Sequence, residues 1–295
     1  MDLDQATIPF VIMLANARRL VRILLFALFL TLCISTALLF RVADIVVRRH
    51  LDRAYVARIY LKWLCRLCGM RLQVQFAPDY NHSKQASLVN QPNGLKHIRG
   101  HLIISNHVSW LDIPVLGSQA PLKFLSKAEV RNWPVIGLIA GAAGTLFIKR
   151  GSGQSESIKH QIQEKLAQNQ NVLVFPEGTT SDGTSIKRMH PRLLASACNA
   201  EKLIQPLTVM YLDEDNRPSR IAPFIGDDEF HKHVWRLFGQ ARVTAVIEIH
   251  PPVTVTPETD IAEVTHKIQQ RMQASIERRL GSQPLQRLDQ ASIAP

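Results

Sequence analysis

Residues 23–40 contain no charged side chain, and only Thr31, Ser35 and Thr36 interrupt an otherwise apolar run. As a helix this stretch reaches the lower limit of length for crossing a bilayer. Whatever else the chain folds into, it must place this segment in lipid or bury it. Arg18, Arg19 and Arg22 precede the run, and Arg41, Arg48, Arg49 and Arg53 follow it. Positive charge at both ends sets no orientation by the positive-inside rule. It predicts instead a segment whose two ends meet anionic headgroups on one side of the membrane. The stretch 42–67 is apolar on one face and arginine-rich on the other, which predicts an interfacial helix. A cleaved signal peptide fits poorly, because the run starts late and no small-x-small site follows it.

The charge balance agrees with an anionic partner. Lys and Arg total 35 against 24 acidic residues, a formal net charge of +11. Nucleic acid is the weaker candidate, since neither zinc-knuckle spacing nor an RNA-stacking signature occurs. Anionic lipid or a phosphate-bearing substrate fits better. The four cysteines are Cys33, Cys65, Cys68 and Cys198. Cys65 and Cys68 have no second pair and no histidine at ligand spacing. They read as small apolar residues one helical turn apart in a reduced, intracellular chain.

After Gly69 the periodicity changes. Residues 70–76 alternate between apolar Leu72, Val74 and Phe76 and polar Arg71, Gln73 and Gln75, which predicts a half-exposed strand. Residues 78–96 are polar and read as a loop. Strand-like runs recur at 101–105, 145–148, 172–175, 207–211 and 243–249, with helical stretches such as 155–168 between several of them. This order predicts an α/β domain with a largely parallel sheet. Ile261, Val264, Ile268, Met272, Ile276 and Leu280 predict a final amphipathic helix, capped by Thr259 or Asp260 and ended by Gly281. The expected organisation is a membrane anchor and interfacial helix over 1–60, a domain over 61–281 and a polar tail over 282–295.

Three stretches carry chemistry. Asn106, His107 and Asp112 follow the buried strand at 101–105, at the strand end where α/β folds build their sites. A histidine there can serve as a general base if a carboxylate orients it. A spacing of five puts the two about 140° apart on a helix, at 3.6 residues per turn. His107 is therefore expected in the turn before a helix and Asp112 in its first turn, with Ser109 as N-cap. The structural alternative is that Asp112 only complements a helix dipole and His107 is an ordinary loop residue. Without a Gly-x-Ser-x-Gly elbow, no nucleophile is evident. The base would then activate an acceptor hydroxyl directly. The second stretch, residues 175–183, exits a strand as a polar turn around Gly178, with Thr179, Thr180 and Ser181. Its backbone N–H groups can face a ligand, or it is simply a tight strand exit. The third, residues 144–150, is an apolar strand ending in Lys149 and Arg150, which either hold phosphate or are a solvated strand end.

Taken in order, these stretches resemble the glycerophospholipid acyltransferase family, typified by 1-acylglycerol-3-phosphate acyltransferase. The family's Asn-His-x-x-x-x-Asp block is similar to Asn106, His107 and Asp112. Its Gly-x-x-Phe-Ile-x-Arg block is similar to Gly144, Phe147, Ile148 and Arg150. Its Phe-Pro-Glu-Gly-Thr block is similar to residues 175–179, and its short apolar-Pro block to residues 204–207. The resemblance covers roughly residues 61–253.

The resemblance implies an acyltransferase domain on a largely parallel sheet. It implies an acyl thioester donor, acyl carrier protein or coenzyme A, and no metal or prosthetic group. His107 would deprotonate the acceptor hydroxyl and Asp112 would orient it. Arg150, helped by Lys127 or Lys149, would bind the acceptor's anionic head. Glu177 and Gly178 would shape the acceptor site, and Asn106, Phe147, Pro176, Thr179 and Thr180 would complete the substrate-binding set. The implied partners are membrane lipids, a lysolipid acceptor and the thioester donor, at the cytoplasmic face of a bacterial inner membrane. The expected acceptor is 1-acylglycerol-3-phosphate. One departure bears on it: many phosphatidic-acid-forming members carry Arg directly after Glu-Gly-Thr, and here that position is Thr180. Lys187, Arg188 or Arg192 could compensate. Otherwise the acceptor is another lysolipid, such as a lyso-ornithine lipid. The reading from a different class is a non-catalytic membrane-surface binding protein using the same basic face.

Overall fold

A computed structural model describes residues 7–48, 52–80, 95, 98–148, 155–199 and 202–281. Two helices, α1 (Thr7–Val47) and α2 (Ala54–Leu67), lead into β1 (Met70–Phe76). Then follow β2 (Leu102–Ser105), α3 (Asp112–Gly117), β3 (Leu122–Lys127), α4 (Ile136–Ala142) and β4 (Leu146–Ile148). After them come α5 (Ser155–Ala167), β5 (Asn171–Val174), α6 (Pro191–Asn199), β6 (Leu203–Leu212) and α7 (Phe230–Gly239). The chain finishes with β7 (Val243–Ile249), β8 (Val253–Thr254) and α8 (Ile261–Leu280).

The strands form one sheet in the order β1-β7-β6-β2-β5-β3-β4, with β8 against β6. The β6–β7 and β6–β8 pairs are antiparallel and the rest are parallel, so the sheet is largely parallel as its alternation with helices predicts. β2 and β5 sit centrally and are buried along their whole length, as continuous apolar runs in a covered sheet must be. β1 is an edge strand, which is why its alternate residues face water. One face of the sheet packs Ile103, Leu173, Leu207 and Val209 against Leu111, Val115 and Leu116 around α3 and against Leu237 and Phe238 of α7. The other packs Ile104, Val174 and Met210 against Ile162 of α5, Leu194 of α6 and Met272 of α8. α8 starts on Asp260, whose Oδ1 accepts from the amides of Ala262 and Glu263 at 3.0 and 3.1 Å, and it stops at Gly281 with φ 77°.

The N-terminal segment differs from its expected form. The interfacial helix does not start at residue 42. α1 runs on to Val47, and Arg48 ends it in the left-handed region at φ 53°. α2 begins only at Ala54. Most of the flanking arginines bind protein rather than facing outward. Arg22 donates to the carbonyls of Phe238 and Gln240 at 3.0 and 2.7 Å, and Arg18 to that of Gly239 at 3.2 Å. These are the last carbonyls of α7, which no turn of helix satisfies, so guanidinium groups close them. Arg19 donates to the Trp235 carbonyl and lies 5.1 Å from the centroid of its ring. At the other end Arg53 pairs with Asp44 and donates to the carbonyls of Phe40 and Ala142. Arg41 and Arg48 remain exposed, and Arg49 lies outside the described residues.

α1 is thus fastened at its start to α7, at its middle to Tyr60 of α2 through Thr36 at 2.6 Å, and at its end to the α1–α2 corner. Its opposite face is apolar and open, with Leu24, Leu28, Leu39, Ile45 and Val46 among its most exposed side chains. The stretch Ile12–Val47 is long and apolar enough to cross a membrane by length and composition. Removing the Arg22 contacts strands partly buried carbonyls, at a cost of about 2 kcal/mol. Arg22→Ala is expected to lower the melting temperature in detergent by roughly 4–8 °C. Arg41→Ala should leave it unchanged, as a thermal melt of the two variants would show.

Candidate active site

Strand β2 ends at Ser105, and the next residue fixes the chain's exit. Asn106 is fully buried, and its carboxamide pairs with the Val209 peptide, donating to the carbonyl at 2.9 Å and accepting from the amide at 2.8 Å. This side chain extends the β2–β6 pairing by one step, so its polar groups serve the scaffold. His107 follows at the mouth, with a fifth of its side chain exposed.

Asp112, the first residue of α3, is fully buried. Its Oδ2 accepts from His107 Nδ1 at 2.7 Å and from the backbone amides of Val108 and Ser109 at 2.7 and 3.0 Å. Its Oδ1 accepts the hydroxyl proton of Tyr211 at 2.7 Å. A carboxylate only accepts, so Nδ1 carries the proton and Nε2 presents its lone pair outward. The spacing argument holds: His107 lies in the turn before a helix and Asp112 in that helix's first turn. Ser109 is not the N-cap. That position is Leu111, and the buried Ser109 hydroxyl has no hydrogen-bond partner among the described residues. The Asp112 carboxylate draws the Ser109 amide inward, so the loop is tied by the aspartate instead.

The turn after β5 holds the same loop from its other side. Glu177 is buried, and its Oε1 accepts from the His107 amide and its Oε2 from the Lys187 amide, both at 2.8 Å. Burial pushes the Glu177 carboxyl above its ordinary value, and these two backbone donors work against that shift. The Ser181 amide donates to the His107 carbonyl at 2.8 Å. The His107 ring stacks on Phe175, with centroids 4.0 Å apart and planes 11° from parallel. Gly178, at φ 70°, closes the turn by donating its amide to the Phe175 carbonyl, so that N–H is spent inside the turn. Pro176 is buried, and Thr179 and Thr180 lie toward the surface.

Two partners of the loop are distant in sequence and invisible to spacing. Tyr211 lies on β6, 99 residues from Asp112, in a run legible only as a strand. Burial first, and then the neighbouring Asp112 charge, raises its phenol well above the ordinary tyrosine value, so it stays a donor. His233 of α7 accepts the Trp110 indole proton at 3.1 Å through Nδ1, and its Nε2 faces the carbonyls of Ala222 and Pro223. Burial lowers its tendency to protonate, consistent with a neutral ring in this role.

The remaining expected site residues are placed apart. Lys127 is exposed at the end of β3, and Phe147 lies on β4 beneath the Arg131 guanidinium. β4 is three strands from β2, about 14 Å at the usual strand spacing. Lys149 and Arg150 lie outside the described residues. Cys65 and Cys68 are buried free thiols, with burial pushing Cys65 up to about 12, which suits packing rather than reactivity.

Comparison with known proteins fits this geometry. Residues 87–210 match the family described as Acyltransferase. The lyso-ornithine lipid O-acyltransferase of Pseudomonas aeruginosa is 41% identical over 214 residues, 72% of this chain and 76% of that protein. The 1-acyl-sn-glycerol-3-phosphate acyltransferase of Neisseria gonorrhoeae is 30% identical over 182 residues, 61% of this chain and 71% of that one. The crystal structure of the 1-acyl-sn-glycerophosphate (LPA) acyltransferase of Thermotoga maritima superposes with a TM-score of 0.52 at 18% identity, covering 88% of this chain and 97% of that one, and so shares the fold. With the ordered sequence blocks, the fold and these relatives in agreement, the chain belongs to the glycerolipid acyltransferase family.

Proposed function

We propose that this acyltransferase moves a fatty acyl group from an acyl thioester to the free hydroxyl of a lyso-ornithine lipid. The observation that carries the reaction is the 2.7 Å contact between His107 Nδ1 and the acceptor-only Asp112 carboxylate, which fixes the tautomer. With Nδ1–H committed to Asp112, Nε2 is the free base. It takes the acceptor's hydroxyl proton as the oxygen attacks the thioester carbonyl. The resulting imidazolium is stabilised by Asp112, and it returns the proton to the leaving thiolate. An ester and a free thiol result, with no covalent enzyme intermediate. Tyr211 and Glu177 are positioning residues: the first holds the carboxylate, and the second holds the backbone of the base.

Two things support the acceptor. The relative of 41% identity carries that activity in its name, and Thr180 stands where a phosphate-binding Arg is common in the family. The second reading is 1-acylglycerol-3-phosphate, supported by the 30% relative. The open apolar face of α1 supports a membrane location, and its contacts with α7 and α2 along its length favour lying within one leaflet over spanning. In a bacterial cell this corresponds to the cytoplasmic face of the inner membrane.

The purified enzyme should be offered a panel of lysolipids with a labelled acyl-CoA and, separately, a labelled acyl carrier protein. Lyso-ornithine lipid is expected to be acylated with the highest kcat/KM, and a preference for 1-acylglycerol-3-phosphate would transfer the assignment to the second reading. His107→Ala is expected to lower transfer by ~1,000-fold or more while the thermal melt persists. Tyr211→Phe keeps the ring and drops one charge-assisted hydrogen bond, so kcat/KM should fall by about tenfold. Unchanged kcat/KM in that variant would remove Tyr211 from the mechanism.

A further inference from the structure

Four charged side chains in the turn between β5 and α6 have no ionic partner among the described residues: Glu177, which is spent on two backbone amides, exposed Arg188, and the oppositely charged Lys187 and Asp182. Lys187 is exposed, and its ammonium donates to the Thr180 carbonyl at 2.6 Å. One of its three protons is used there, and no carboxylate among the described residues neutralises it. Asp182 is also exposed, and its Oδ1 accepts from the amide and hydroxyl of Thr184 at 2.9 and 2.8 Å. Its other carboxylate oxygen has no partner among the described residues.

Both groups are held in fixed relation to His107. The Glu177 carboxylate ties the Lys187 amide to the His107 amide, 2.8 Å on each side. The ammonium then folds back onto Thr180, whose neighbour Ser181 donates to the His107 carbonyl at 2.8 Å. Those two contacts are made by adjacent residues, ~3.8 Å apart at Cα. Asp182 is followed by Gly183, at φ 80°, where a Cβ would lie 3.3 Å from both methyl carbons of Val108. The turn therefore lies against the catalytic loop at His107 and again at Val108. It carries Lys187 beside the first contact and Asp182 beside the second.

We infer that this turn is a subsite for a zwitterionic, amino-acid-type head group. Lys187 takes the acceptor's carboxylate, and Asp182 takes its ammonium. A single ammonium is a point charge, suited to a monoanionic carboxylate, where a phosphate favours the two-pronged fork of Arg. The opposed charge is the part that a purely anionic head group has no use for: Asp182 would repel it. The inference rests on the lyso-ornithine reading and deepens it, because it says which side chains select that lipid.

The test uses full-length enzyme in detergent with Lys187→Met, Asp182→Asn and, as a control on α8, Lys267→Met. Lys187→Met leaves the backbone amide that Glu177 needs, and Asp182→Asn leaves an oxygen for Thr184, so both should fold. With lyso-ornithine lipid, each of the two is expected to raise the acceptor KM by about tenfold, the usual scale of one charge-assisted contact. The kcat and the donor KM should stay near wild type, a split that general loosening of the turn would not give. With 1-acylglycerol-3-phosphate, Asp182→Asn should lower KM, since a repulsive charge is gone. An unchanged lyso-ornithine KM in both variants would overturn the subsite while leaving the acceptor assignment intact. Failure of the acceptor assignment shows separately, in wild type. If wild type acylates only 1-acylglycerol-3-phosphate, the zwitterionic subsite falls with it.

Discussion

One buried carboxylate organises the candidate active site. Asp112 is fully buried and collects four donors: an imidazole, two backbone amides and a phenol. An unpaired carboxylate in that place would be costly, and these four donors satisfy it. The two amides curl residues 107–112 into a fixed turn, which sets the His107 side chain in register with its own partner. The same charge therefore folds the loop and fixes the tautomer of the base. Glu177 repeats the device from outside, with one oxygen on the His107 amide and the other on the segment bearing Lys187.

The apolar N-terminal helix and the candidate site are joined by a short physical chain. α1 closes the C-terminal carbonyls of α7 through Arg18 and Arg22, and packs Phe26 edge-on against Phe238 with centroids 5.8 Å apart. α7 in turn supplies His233 to Trp110 of the catalytic loop, and the segment before it pairs Phe224 with Val108 at 3.0 Å. Arginines beside an apolar run thus serve the protein's own backbone before any headgroup. A helix so fastened ties its bare apolar face to the loop that carries His107, the proposed base.

Much of this was legible in the sequence because the informative groups are local. The strands at 70–76 and 243–249 follow from alternation and apolar runs, and the position of His107 and Asp112 follows from helix geometry and a spacing of five. What escaped has identifiable causes. β3 carries Lys123 and Lys127, and it reads as polar because nothing local reveals that Lys123 is buried on Asp52 at 2.8 Å. Ser109 was the better cap by residue type, yet Asp112 won its amide through a charge-assisted bond. The break between α1 and α2 depends on Arg53 reaching Asp44 and Ala142, which periodicity cannot report. Tyr211 and His233 approach the loop only through the sheet and the packing of α7.

The central claim is that the Asp112 charge, and not only its shape, makes His107 a competent base. Asp112→Asn separates the two. Its amide oxygen can still accept from His107 and the loop amides, and its amide nitrogen can donate to Tyr211. The most direct measurement is therefore single-turnover acyl transfer by this variant beside its thermal melt. The expected result is a rate lowered by ~1,000-fold or more, with a melt within a few degrees of wild type. A folded variant that transfers within about tenfold of wild type would contradict the account, since the imidazolium would then need no buried charge beside it.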